Sequence, residues 1–173
     1  RSALASARIS SADRGAAEPC GVVLDASGEI AYITLSGTHE ALRVPTRSAS
    51  ASDPKATSPQ ETPLQRVHVG ANPRAIALRP GGAELWIGNH LGNSLSILSN
   101  TTEEKPSEIR KGALREVSLG EPTPSPNRRL KGRYLFSSAH IVRGHHFSCE
   151  SCHPDGGTDG LSWKLAHVKE APE

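Results

Sequence analysis

Short apolar runs broken by Gly, Pro and polar turns dominate the first two thirds of the chain. Val22-Val23-Leu24 is followed by a turn ending in Gly28-Glu29 and then by Ile30-Ala31-Tyr32-Ile33-Thr34-Leu35. Two β-rich runs about a glycine-containing turn predict a hairpin. A third run, Ala41-Leu42-Arg43-Val44, closes at Pro45. Beyond a polar stretch the pattern returns as Val67-His68-Val69, Ala75-Ile76-Ala77-Leu78, a Pro80-Gly81-Gly82 turn, Leu85-Trp86-Ile87 and Leu95-Ser96-Ile97-Leu98.

Laying residues 71–98 over 17–44 without gaps, an offset of 54, aligns Pro73 with Pro19, Leu78 with Leu24, Gly82 with Gly28, Trp86 with Tyr32 and Ile87 with Ile33. The chain therefore contains an internal repeat, each unit supplying several short antiparallel strands, as one blade of a β-propeller does. Residues 46–63, rich in Ser, Thr, Ala and Pro, account for the length beyond a blade of about 40–45 residues. Their composition predicts a flexible loop. Val117-Ser118-Leu119-Gly120 echoes Val67-His68-Val69-Gly70 and predicts the start of a third unit that then stops. Residues 1–18 have little periodicity and are expected to be a tail.

The units around PCGVVLDASGEIAYITLSG and NPRAIALRPGGAELWIGNHLGNSLSIL resemble blades of the YVTN-type β-propeller family. The resemblance covers residues 17–122. Two blades and part of a third do not close a ring of about four to eight. The resemblance thus implies a piece of a longer protein, or blades supplied from elsewhere.

From Asn127 the composition changes. Arg128-Arg129-Leu130-Lys131-Gly132-Arg133-Tyr134-Leu135-Phe136 spaces its apolar residues as a short amphipathic helix does, and five of the eight histidines fall from His140 onward. The three cysteines, Cys20, Cys149 and Cys152, are too few for a disulfide scaffold. Cys20 is expected to be a small buried side chain at a strand start.

The strongest chemical signal is Cys149-Glu150-Ser151-Cys152-His153. The C-x-x-C-H spacing is that of a c-type haem attachment site. Two thiols about one turn apart can reach two vinyl groups of one porphyrin, and the adjacent His153 becomes the proximal iron ligand. A covalent tether also suits a chain with only 3% aromatic residues. Two other readings stand beside it: a zinc site drawn from His145, His146, Cys149, Cys152 and His153, and an exposed turn with no cofactor. Gly156-Gly157-Thr158-Asp159-Gly160 behind the motif is a loop whose glycines let backbone approach a flat group. Asp155 and Asp159 are expected to be solvated loop carboxylates.

The stretch LKGRYLFSSAHIVRGHHFSCESCHPDGGTDGLSWKLAH resembles the N-terminal haem segment of the bacterial dihaem cytochrome c peroxidase family, which includes MauG-like proteins. The shared elements are Gly132, Leu135 and Phe136 at a helix end, the Phe-Ser-Cys-x-x-Cys-His core and the Gly-Gly-Thr-Asp-type loop. The resemblance implies one covalent haem c, electron transfer with a redox partner protein or small carrier, and a periplasmic or cell-surface location, because haem c is attached outside the cytoplasm. It places His167 as the candidate distal ligand, with His140, His145 and His146 behind it. Trp163, near the haem loop, is expected either to pack on the porphyrin edge or to be a plain core residue. The peroxidases of the family use a second haem, so catalysis by this chain alone is not expected. With no Met in the chain, His/Met ligation is excluded within these residues.

Net charge sharpens this little. Twenty Lys and Arg against eighteen Asp and Glu give +2, too weak a field to point to nucleic acid or an anionic membrane. No apolar run reaches the roughly 20 residues of a bilayer span. Absence of Met and an initial Arg1 point to a processed chain or a fragment. The expected fold is mixed: a tail over 1–18, partial propeller blades over 19–122, and a small, mainly α, cytochrome c-like segment over 123–173.

Overall fold

The computed structural model describes residues 15–46, 65–99, 114–120 and 127–162. Strands β1 (Pro19–Leu24), β2 (Ile30–Leu35), β3 (Glu40–Pro45) and β4 (Gln65–His68) pair in sequence order as one antiparallel sheet. Strands β5 (Pro73–Leu78), β6 (Glu84–Asn89), β7 (Ser94–Ser99) and β8 (Leu114–Ser118) form a second sheet in the same order. Two consecutive four-stranded meanders fit partial propeller blades.

The 54-residue repeat extends into the backbone. Val23 faces Tyr32 across the first sheet as Ala77 faces Trp86 across the second, and both first strands shift register just after their proline. Left-handed backbone recurs at matched positions, Glu18 with Asn72, Gly28 with Gly82 and His39 with Asn93. In both units the amide after the fourth strand closes the same bond onto the second turn: Val69 N–H donates to His39 O (3.0 Å) and Leu119 N–H to Asn93 O (2.9 Å).

One sequence expectation is corrected here. The echo between residues 67–70 and 117–120 marks the closing strands of two blades, not the openings of a second and third. β4 pairs with β3 and β8 with β7. Strand composition announces a strand but not its partner, which long-range ladder bonds select.

The sheets pack face to face. Tyr32 and Ala41, flanked by Val23, Ile30, Val67 and Val69, meet Leu85, Ile87 and Leu98 with Ile76 and Leu78. Alternation along each strand sends these residues to one face, and Ile87, completely buried, sits where such a side chain contributes about 1.5–3 kcal/mol. Cys20 departs from expectation. It is an exposed free thiol whose Sγ–H donates to Ser36 Oγ at 3.2 Å, because the bulge at the start of β1 turns it away from the sheet interface.

Helix α1 (Arg128–Ser137) forms where the apolar spacing predicts it, its first turn closed by Asn127 Oδ1 accepting from Arg129 N–H at 3.0 Å. A mainly α body does not follow. The described residues beyond α1 form short 3-10 turns and loops, interrupted by positive φ at Gly144, His145, Asp155 and Gly156. This segment is joined to the first blade: Ala139 N–H donates to Gly37 O (2.8 Å) and His140 Nε2–H to Thr38 O (3.1 Å). Residues 15–18, expected to end a tail, lie in that junction. Gly15 N–H donates to Gly144 O at 2.7 Å, and a Cβ on Gly15 would strike the backbone of His145 and His146.

Candidate haem attachment site

The C-x-x-C-H residues form a single turn of backbone. The amides of Cys152 (3.3 Å) and His153 (3.0 Å) both donate to Cys149 O, which places both thiols and the imidazole on one compact loop. Both cysteines are free, Cys149 exposed and Cys152 partly so. His153 Nδ1 lies 2.9 Å from Gly157 O. A carbonyl only accepts, so Nδ1 carries the proton, and in the neutral ring Nε2 carries the lone pair. That is the tautomer a metal-ligating imidazole needs, with its other nitrogen oriented by a backbone carbonyl. The Phe136 ring stands 6.4 Å from that of His153.

The polar residues of the motif face the blades. Glu18 Oε1 accepts from Ser151 Oγ at 2.8 Å and from Ser148 Oγ, gripping the serine that precedes each cysteine. Arg74, at the start of β5, donates to Glu150 Oε1 and to Asp155 Oδ1 at 3.3 Å. Burial works against the Arg74 cation, and the Glu150 and Asp155 carboxylates more than offset it, holding its pKa above the ordinary value. One anchor from each blade thus fixes the turn. Asp155, expected to be a solvated loop carboxylate, is 87% exposed and also makes one of these contacts. Asp159 N–H donates to Cys152 O (3.0 Å) and its Oδ1 accepts from Leu161 N–H (3.0 Å), so it shapes the loop.

Sequence reasoning missed Glu18 and Arg74. A signal was present for Glu18: it occupies a left-handed position, φ 58, where the second unit carries Asn72, a residue that tolerates that conformation far better. A locally disfavoured residue at such a place is often retained for what its side chain does.

A cleft of about 470 Å³ opens between the second blade and α1, lined among others by Asn72, Arg74, His90, Arg133, Phe136 and Glu150. Arg133 donates to His90 Nε2 at 3.1 Å. Gly156 and Gly160, on the exposed side of the loop, have open space around the position of a Cβ, so a flat group can approach the backbone there.

Comparison with known proteins gives structural likeness only. No family model matches the chain, and no curated protein matches it. Among solved structures, Kuenenia stuttgartiensis hydrazine synthase is similar at 21% identity and a TM-score of 0.40, over 60% of this chain and 24% of that one. A protein assigned as a 6-phosphogluconolactonase from Bacteroides uniformis is similar at 16% identity and a TM-score of 0.38, over 60% and 29%. The Pseudomonas aeruginosa periplasmic gluconolactonase PpgL is similar at 16% identity and a TM-score of 0.28, over 61% and 44%. The chain therefore spans less than half the length of each.

The other candidate residues fall in two places. His167 and Trp163 lie outside the described residues. His140 and His145 belong to a separate group on the first blade, with ring centroids 5.0 Å apart and His140 5.2 Å from His39 and 6.3 Å from His68. Burial first, then His140 and His68, push the His39 pKa below its ordinary value, against the opposing pull of Ser36 O and Glu40. Among the described residues, no group of three or more His, Cys, Asp or Glu side chains converges as a metal-ion set.

Proposed function

We propose that the chain attaches one haem c through Cys149 and Cys152, ligates its iron through His153, and transfers single electrons to a redox partner protein or small carrier. The observation that carries this reading is His153 Nδ1 held 2.9 Å from Gly157 O inside a C-x-x-C-H turn with two free thiols. Haem so held supplies a ferric/ferrous couple. The protein's part is mechanical. Glu18 and Arg74 hold Ser148, Ser151, Glu150 and Asp155 on the blade side, leaving the sulfur atoms and the His153 ring to the cofactor.

The location consistent with this chemistry is outside the cytoplasm, and the organisation proposed is blades over 19–122 followed by a cytochrome-like segment over 123–173, of a kind related to dihaem cytochrome c peroxidases. His167 is the proposed distal ligand. Chain produced alongside c-type haem attachment machinery and extracted with acid acetone is expected to keep its colour and give a pyridine haemochrome spectrum. Cys149→Ala with Cys152→Ala should abolish that signal, whereas His153→Ala should leave tethered haem with altered iron ligation. Colourless protein, or protein carrying stoichiometric zinc, overturns the proposal.

A further inference from the structure

At one corner the two blades are built alike and used differently. Ser36 N–H donates to Glu18 O (2.9 Å), and at the same offset His90 N–H donates to Asn72 O (3.0 Å), so one backbone bridge recurs in both. On the first blade this corner is covered. Glu18 takes the hydroxyls of Ser148 and Ser151, and Gly37 O takes the Ala139 amide at 2.8 Å. On the second blade the counterparts Asn72, His90 and Leu91 line the cleft of about 470 Å³, facing Arg133 and Phe136 of α1. That volume lies within the range of small-molecule sites, about 300–1,000 Å³.

Gly132 keeps the cleft open. It sits in the middle of α1 without positive φ, and a Cβ there would meet nothing within 4 Å. Neither conformation nor close packing calls for glycine, which weakens a helix interior relative to alanine. What the bare backbone provides is room. The polar groups around that room define what enters it. Arg133 donates to the His90 imidazole at 3.1 Å and pairs with no carboxylate among the described residues, whereas Arg74 is already held by Glu150 and Asp155. Asn72 is 1% exposed, with its Oδ1 accepting from Arg74 Nε–H at 3.0 Å. Among the described residues its Nδ2 finds no acceptor, and Glu150 Oε2 finds no donor. Buried polar groups left so call for a partner, and a hydroxyl, which both donates and accepts, serves either.

We propose that this cleft binds a small hydroxycarboxylate, with its carboxylate on Arg133 and His90 and its hydroxyl on the Asn72 and Glu150 side. The guanidinium fork matches a planar carboxylate, and Phe136 and Leu91 offer apolar surface to the carbon chain. The site stands apart from haem attachment, since Cys149, Cys152 and His153 are not part of the cleft wall.

Titration of the full chain with lactate, followed through the amide resonances of Leu91 and Ser137, tests the site. The wild-type chain is expected to show saturable shifts. Propionate, which lacks only the hydroxyl, should bind about fivefold more weakly, and Arg133→Gln should weaken lactate binding by about tenfold or more. Gly132→Leu should abolish the shifts by filling the cleft. It should also raise the thermal midpoint, because leucine favours a helix interior over glycine, which separates loss of the site from loss of the fold. No saturable shift in the wild-type chain, equal affinities for lactate and propionate, or lactate binding that survives Gly132→Leu would overturn the proposal.

Discussion

Glu18 and Ser151, 133 positions apart in the chain, are joined by a 2.8 Å hydrogen bond from the serine hydroxyl to the carboxylate. Through it the first blade reaches into the centre of the C-x-x-C-H turn, and through Arg74 the second blade does the same from the other side. The blades are therefore the support on which the C-x-x-C-H turn is presented.

Glu18→Gln keeps the size of the side chain and removes its charge, weakening its bonds to Ser148 and Ser151. Hydrogen bonds to a charged group contribute about 1.5 kcal/mol or more, so local opening of the turn should become about tenfold more frequent. Hydrogen exchange followed by mass spectrometry should show faster exchange over residues 148–153 with little change in the sheets. Equal exchange in the two proteins would remove Glu18 from the anchoring role.

The repeat supplies a paired test of blade packing. Ile87 is fully buried between the sheets, and its counterpart Ile33 lies on the open face of the first blade beside Val22. Ile87→Ala should cost about 2–5 kcal/mol, measured by urea unfolding. Ile33→Ala should cost less than half as much. Equal losses would mean that the two faces are equally covered in solution.

His39 gives a pH dependence with a definite sign. Its folded-state pKa is lowered by burial and by His140 and His68, with Glu40 and Ser36 O pulling the other way. A base of lowered pKa binds fewer protons folded than unfolded. Its contribution is complete above the ordinary histidine pKa of about 6.5 and is lost as pH falls from there toward the folded value. Urea midpoints should therefore drop on acidification through this window, and His39→Gln should flatten the drop. The Asn72 amide nitrogen lies 3.1 Å from His39 Nδ1, so its amide resonance should report the same transition.

Much of this architecture was legible in the residues. Equal spacing of Pro19 with Pro73 and Tyr32 with Trp86 located both sheets, since a repeat of side-chain pattern at one offset repeats the ladder as well. The closing strands were not, because the segments ahead of Val67 and Val117 carry no mark of which sheet receives them. Cys149, Cys152 and His153 could be named from their spacing, a property of four consecutive peptide bonds. Glu18 and Arg74 could not, because their partners lie 76 to 133 residues away and only the folded blades bring them together. Among the described residues α1 is not continued by a mainly α segment, for a local reason: Gly144, His145, Asp155 and Gly156 adopt positive φ, which interrupts helix propagation.

The central claim is that the turn held by Glu18 and Arg74 attaches haem. The most direct measurement is the intact mass of the chain purified after production with c-type haem attachment machinery, followed by mapping of the modified peptide. The account predicts a mass increase of one haem per chain, located on the peptide that contains Cys149 and Cys152 and absent from the double alanine variant. A mass equal to that of the unmodified polypeptide would contradict it.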